Sequence, residues 1–138
     1  MALVDLIKTS ESLRLVAYID SDGVLTNGWG HTGADVYAGQ VITEAQADAW
    51  LDSDIASHRA QVLELCPALT GNHLDAITDF CFNEGYSHLA GSTLRKDILA
   101  DDYEDVPSEL RKWIYGNGKI LPGLVKRREA EIVLWNTP

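Results

Sequence analysis

With 138 residues, 46% of them hydrophobic and 23% charged, the chain has the size of one domain and the composition of a folded globular protein, not a disordered one. Its formal net charge of −10 argues against nucleic acid as a partner, because phosphate backbones are held by concentrated Lys and Arg, and the one basic cluster, Lys126 to Arg128, is followed by Glu129 and Glu131. No apolar run approaches membrane-spanning length, which speaks against direct membrane insertion, and the opening "MALVDLIK" lacks the basic n-region of a signal peptide.

Residues 2–11 read as a short helix, with Leu3, Ile7 and Glu11 on one stripe at i, i+4 and i+8. Residues 14–35 read as a small antiparallel sheet, rich in Gly and β-formers. "SDG" (Ser21 to Gly23) suits a three-residue hairpin loop with Gly23 in the left-handed conformation. That register pairs Asp20 with Val24 and Tyr18 with Thr26, so Asp20 and Thr26 project from one face. A two-residue turn at Asp22-Gly23 would instead send Thr26 to the opposite face.

Thr43 starts a long helix, with Gln46 as its capping-box partner, that runs to about Leu65 before Pro67. Thr70 reads as the cap of the next helix, whose stripe is Leu74, Ile77, Phe80 and Cys81, and Gly85 closes it. Helices over about Ser92 to Leu99 and Pro107 to Tyr115 follow. After a loop over Gly116 to Gly123, a last helix covers about Leu124 to Trp135. Helix rise would separate Cys66 and Cys81 by roughly 15 Å, past disulfide reach, so both read as buried thiols.

The expected fold is α+β and mostly α. It is a single domain, 1–138, with a β-rich lobe over about 12–42. A long helix joins that lobe to an all-helical lobe, which comprises about 66–138 and the N-terminal helix. A cleft between the lobes is where a ligand site is expected.

Glu11, on the apolar stripe, should face inward, and burial raises the pKa of a carboxyl toward what a general acid needs. The plainer alternative is a helix-end glutamate in solvent or paired with an arginine. Asp20 and Thr26 on one face can hold a water between them. With an acid across a cleft they would make the arrangement that hydrolyses glycosidic bonds. Asp22 competes with Asp20, but its place in the turn suits a turn-former.

"ESLRLVAYIDSDGVLTNGWGHTG" resembles the active-site segment of the phage-type lysozymes, the endolysin family of glycoside hydrolases. The intervals from Glu11 to Asp20 to Thr26 match, and Gly28, Gly30 and His31 follow in register. "ITDFCFNEG", "STLRKDI" and "WIYGNGKILPGLVKRREAEIVLW" resemble later segments of that family in the right order, so nearly the whole chain is covered. One departure is the quick passage from Gly39 into the long helix, where the family often has a further loop or helix.

The resemblance implies a lysozyme-like fold and a muramidase that cuts the β-1,4 bond between N-acetylmuramic acid and N-acetylglucosamine in bacterial peptidoglycan. It assigns Glu11 as general acid and Asp20 and Thr26 as the water-positioning pair, with inversion of configuration. It also implies a supporting arginine, Arg127 or Arg128, with Arg127 favoured. Trp29, His31, Phe82 and Thr93 are candidates for substrate contact, although His31 also reads as a bracing group and the two aromatics as core. No cofactor and no metal are expected. "DDYED" (Asp101 to Asp105) lacks the spacing and the bidentate Glu of a calcium loop. The implied protein is a monomer, made in the host cytoplasm and dependent on a holin-type pore to reach the wall. The competing readings are an inactive peptidoglycan-binding or tail structural module, and a transglycosylase that uses Glu11 without water.

Overall fold

The computed structural model describes residues 2–138. In chain order the elements are α1 (Ala2–Glu11), β1 (Arg14–Ile19), β2 (Leu25–Gly28), β3 (His31–Thr32), α2 (Glu44–Leu65), α3 (Gly71–Glu84), α4 (Tyr86–Ala90) and α5 (Thr93–Leu99). A 3-10 turn (Tyr103–Asp105), α6 (Val106–Leu110), the short strands β4 (Tyr115–Gly116) and β5 (Lys119–Ile120), and α7 (Pro122–Trp135) complete the chain. Among these elements no helix is long and apolar enough to cross a membrane.

The chain divides into two compact units, Met1–Leu6 with Ser57–Pro138, and Ile7–Ala56. The divisions fall inside α1 and α2. The smaller unit is built on a three-stranded antiparallel sheet in the order β1-β2-β3, with an isolated bridge from Val16 to Val41. Ser12, at φ 60, turns the chain out of α1, and its N–H donates to the Lys8 carbonyl at 3.2 Å. The first turn of α2 is capped as its sequence indicates, the Gln46 N–H donating to Thr43 Oγ1 at 3.1 Å.

The larger unit is helical around one apolar cluster that includes Val62, Leu69, Ile77, Phe80, Leu94 and Trp135. His73 stacks on Trp135 with ring centres 3.9 Å apart, and Tyr103 meets the same indole edge-on. Thr70 occupies the N-cap position of α3, but its side chain makes no capping bond. Gly85, at φ 94, ends α3 and lets a second short helix, α4, begin at once.

Two expectations need correction. The helix expected over Pro107 to Tyr115 is the five-residue α6, and Tyr115 lies in a strand. The segment expected as a loop is a hairpin, with Tyr115 opposite Ile120 and Gly116 opposite Lys119. Asn117 and Gly118, at φ 52 and 77, form its two-residue turn. Asn-Gly is among the dipeptides that favour two successive left-handed residues, so the turn is local chemistry the helical pattern obscured. Cys66 and Cys81 are free and buried, as expected. They belong to one core cluster, and burial first, then the charge of Cys66, pushes the Cys81 thiol up to about 11.

Candidate active site

The unit Ile7–Ala56 contains Glu11, Asp20 and Thr26. The hairpin has the three-residue register: Tyr18 faces Thr26, Ile19 faces Leu25, and the Asp20 N–H donates to the Val24 carbonyl at 2.9 Å. Gly23 takes φ 79, and its N–H returns to the Asp20 carbonyl at 3.0 Å. Tyr18, Asp20 and Thr26 therefore share one face of the ribbon, since side chains alternate with period two.

The turn also fixes the Asp20 side chain. Asp20 Oδ1 accepts the Asp22 N–H at 2.9 Å and the Val24 N–H at 2.8 Å, while Asp22 itself sits exposed in the turn. Thr26 is buried as a residue, at 3% exposure, and its hydroxyl donates to the Val24 carbonyl at 2.9 Å. With its proton so committed, Thr26 Oγ1 offers lone pairs to a further donor such as water.

Glu11 closes α1 and is half-buried. Its carboxylate lies against the backbone of Gly30, which sits at φ 78; a Cβ built there would be 2.6 Å from Glu11 Oε1. Gly30→Ala meets both a left-handed backbone and an occupied space. The expected result is a folded protein that loses about 1–2 kcal/mol in urea unfolding and most of its activity, because the displaced atoms are those of Glu11. Unchanged activity would show that the position of the Glu11 carboxylate is unimportant.

Tyr18 shares the face of Asp20 and Thr26, a candidate that sequence reasoning passed over. Burial first, and then the negative charges of Glu11 and Asp20, push its phenol up, against the pull of Arg14. The Arg14 guanidinium lies 4.2 Å from the ring centre. The period-two pattern carried the signal, because it puts Tyr18 on the Asp20 face directly opposite Thr26.

Trp29 donates its indole N–H to Asp48 Oδ1 at 2.9 Å, and Lys8, paired with the same carboxylate at 3.1 Å, lies 5.0 Å from the indole ring centre. His31 is held at both nitrogens, Nδ1 to Asp54 Oδ2 at 2.7 Å and Nε2 to Asp35 Oδ1 at 2.8 Å, and stacks on Trp50. Burial disfavours its charge, but hydrogen bonds and charges from Asp54 and Asp35 outweigh that and raise the imidazole pKa above its ordinary 6.5. A raised histidine stabilises the fold fully below the unfolded value of about 6.5, and that stabilisation is lost as pH rises through the folded value. Urea unfolding of His31→Asn should show a deficit of about 1–2 kcal/mol at pH 5.5 that shrinks by pH 8.5. A deficit independent of pH would refute the charged bridge.

The remaining candidates lie in the larger unit. Arg127 makes a two-point bond to Asp79, Nε to Oδ2 at 3.0 Å and Nη2 to Oδ1 at 2.8 Å, and its guanidinium is 5.9 Å from the Phe82 ring centre. Arg128 is wholly buried and donates to Asn83 Oδ1 at 2.6 Å, Glu131 Oε2 at 2.9 Å and Glu84 Oε1 at 3.1 Å. Thr93 is exposed at the start of α5, after the capping Ser92. Near "DDYED", Asp97, Asp102 and Asp105 bring carboxylate oxygens within 4.8 Å of one another. These three are partly or fully exposed, and acids so placed are satisfied by solvent.

The family model for phage lysozyme matches residues 8–131. The chain belongs to the phage lysozyme family. An endolysin of Acyrthosiphon pisum secondary endosymbiont phage 1 is 41% identical over 137 residues, covering 96% of this chain and 93% of that protein. The SAR-endolysin of Escherichia phage Mu is 35% identical over 127 residues, 91% of this chain and 74% of that protein. Among solved structures, the muramidase domain of SpmX from Asticaccaulis excentricus superposes with a TM-score of 0.90 at 32% identity, covering 99% of this chain and 96% of that one. As a family member the chain is a lysozyme-type hydrolase with a lysozyme-like α+β fold.

Proposed function

We propose that the protein hydrolyses the β-1,4 bond between N-acetylmuramic acid and N-acetylglucosamine in bacterial peptidoglycan. Glu11 protonates the leaving oxygen, and Asp20 with Thr26 holds and activates the attacking water. The observation that carries this reading is the three-residue hairpin loop, which puts Asp20 and Thr26 on one face. Asp20 Oδ1 is spent on the turn, so Oδ2 is the oxygen left to orient or deprotonate water. Thr26 accepts from the same water, its own proton being fixed on Val24. A base that acts through water delivers it to the face opposite the leaving group and inverts the configuration.

Trp29, Phe82 and Thr93 are the proposed sugar contacts. His31, with both nitrogens engaged, braces the site and does not touch substrate in this reading. Arg127 is the favoured supporting arginine in this reading, held at two points by Asp79, while Arg128 is bonded to Glu131, Glu84 and Asn83. The reaction is proton transfer with stabilisation of an oxocarbenium-like transition state, which the side chains can supply without a cofactor. Synthesis in the host cytoplasm, passage to the wall through a holin-type pore and action as a monomer complete the proposal.

Mass spectrometry of the products released from purified peptidoglycan tests it. Saccharides ending in reducing N-acetylmuramic acid are expected. Anhydro-muramic ends would mean transglycosylation and would leave Asp20 and Thr26 without their task. No released saccharide from a folded protein would point to a binding module.

A further inference from the structure

A closed ring of contacts runs through Glu11 inside the unit Ile7–Ala56, and it turns on Asp48, near the start of α2. Asp48 Oδ1 accepts the indole N–H of Trp29 at 2.9 Å and pairs with Lys8 Nζ at 3.1 Å. From Trp29 the chain passes at once to Gly30, whose backbone lies against the Glu11 carboxylate. From Lys8 the last turn of α1 leads directly to Glu11. One carboxylate oxygen therefore ties together the two segments that meet at Glu11.

The same stretch is seated on α2 one residue earlier. Gly28 is buried at φ 64, and a Cβ there would be 3.3 Å from Ala47 Cβ, so its backbone rests on the residue just before Asp48. Gly28 packs on α2, Trp29 is bonded to it, and Gly30 walls the Glu11 carboxylate. With a glycine on either side, Trp29 sits in the most pliable kind of backbone, and its bond to Asp48 supplies the stiffness that the sequence lacks there. The Lys8 ammonium, 5.0 Å from the indole ring centre, adds an attraction to the ring itself.

The Asp48 and Lys8 side chains are 44% and 32% exposed, so their ion pair contributes little to folding. The indole bond, made to a charged acceptor, is the stronger of the two contacts. Trp29 first, and then Lys8, hold the Asp48 carboxyl below its ordinary range, which keeps it an acceptor for both.

We propose that Asp48 is a positioning residue for the cleavage reaction: through Trp29 and Lys8 it fixes the Gly30 wall and the last turn of α1, and so sets where the Glu11 carboxyl delivers its proton. The proposal deepens the reading of Glu11 as general acid and rests on it, while the mechanical link from Asp48 to Gly30 and Glu11 does not. It concerns how Trp29 is held, not what its ring touches.

The test compares Asp48→Ala and Asp48→Asn with the wild type, by saccharide release from soluble peptidoglycan fragments and by proton–nitrogen NMR correlation spectra. Asp48→Ala removes the acceptor and should lower kcat about three- to tenfold with KM within about twofold. It should also shift the Trp29 indole N–H upfield and move the backbone amides of Gly30 and Glu11. Asp48→Asn keeps an acceptor oxygen, so it should recover most of the rate and return those resonances toward their wild-type positions. Adding Lys8→Met to Asp48→Ala should lower kcat no further, because Lys8 acts through the same oxygen. A lower melting temperature with kcat and the Gly30 and Glu11 amides unchanged would reduce Asp48 to a structural residue and overturn the proposal. An Asp48→Asn rate as low as that of Asp48→Ala would overturn it too, because the acceptor would not be what matters. If the wild type itself releases no saccharide, the proposed function fails and the positioning role with it, and the Gly30 and Glu11 resonances still decide whether Asp48 holds that segment.

Discussion

Glu11→Gln is expected to fold as the wild type does and to release saccharide about 10²–10⁴ times more slowly, the usual contribution of a positioned general acid. The amide has nearly the volume of the carboxyl, so it fits the same space against Gly30, where the contact is already close. It cannot deliver a proton to a leaving oxygen. Reducing-end assays on purified peptidoglycan measure the rate, and far-UV circular dichroism with a urea titration checks the fold. If the variant kept more than about a tenth of the rate, the acid would lie elsewhere. Asp22 is exposed in the turn and donates its N–H to Asp20, whose carboxylate the turn holds in place, so Asp22→Ala is expected to cost little activity.

Arg128→Met is expected to be the most destabilising single change, by about 3–5 kcal/mol, because it removes one partner of a buried ion group and leaves the others. Glu131 Oε2, Asn83 Oδ1, Glu84 Oε1 and the Trp113 carbonyl would all lose a donor together. Against a total stability of about 5–15 kcal/mol, such a loss is enough to unfold a substantial fraction of the protein at 37 °C. Urea unfolding at pH 7 measures it. Replacing Glu131 by Leu in the same chain should recover part of the loss, since the partner then no longer needs a donor. A loss below about 1 kcal/mol for Arg128→Met would mean that water reaches the cluster and solvates its charges.

Much of the smaller unit was legible in the sequence because its determinants are local. Gly23 behind Ser21-Asp22 selects the three-residue turn, the turn fixes the register, and the register places Asp20, Thr26 and Tyr18 on one face. The same holds for α1 and for the Thr43 cap of α2, where the bonding partners lie a few residues away. Local patterns were weaker over residues 107–120. There a short helix, a turn and an Asn-Gly hairpin follow one another within fewer residues than a helical period needs to declare itself.

What the sequence by itself determined was the order and kind of most elements, the face that Asp20 and Thr26 share, and the intervals that carry the family resemblance. The tertiary structure alone decided which partners the long polar side chains take. His31 meets Asp54 across 23 positions, and Arg127 meets Asp79 across 48. No local rule reaches that far. Buried charges are placed by mutual satisfaction once the backbone has brought them together, so a sequence shows that Arg127, Arg128, Asp79 and Glu131 exist but not that Arg127 pairs with Asp79 and Arg128 with Glu131.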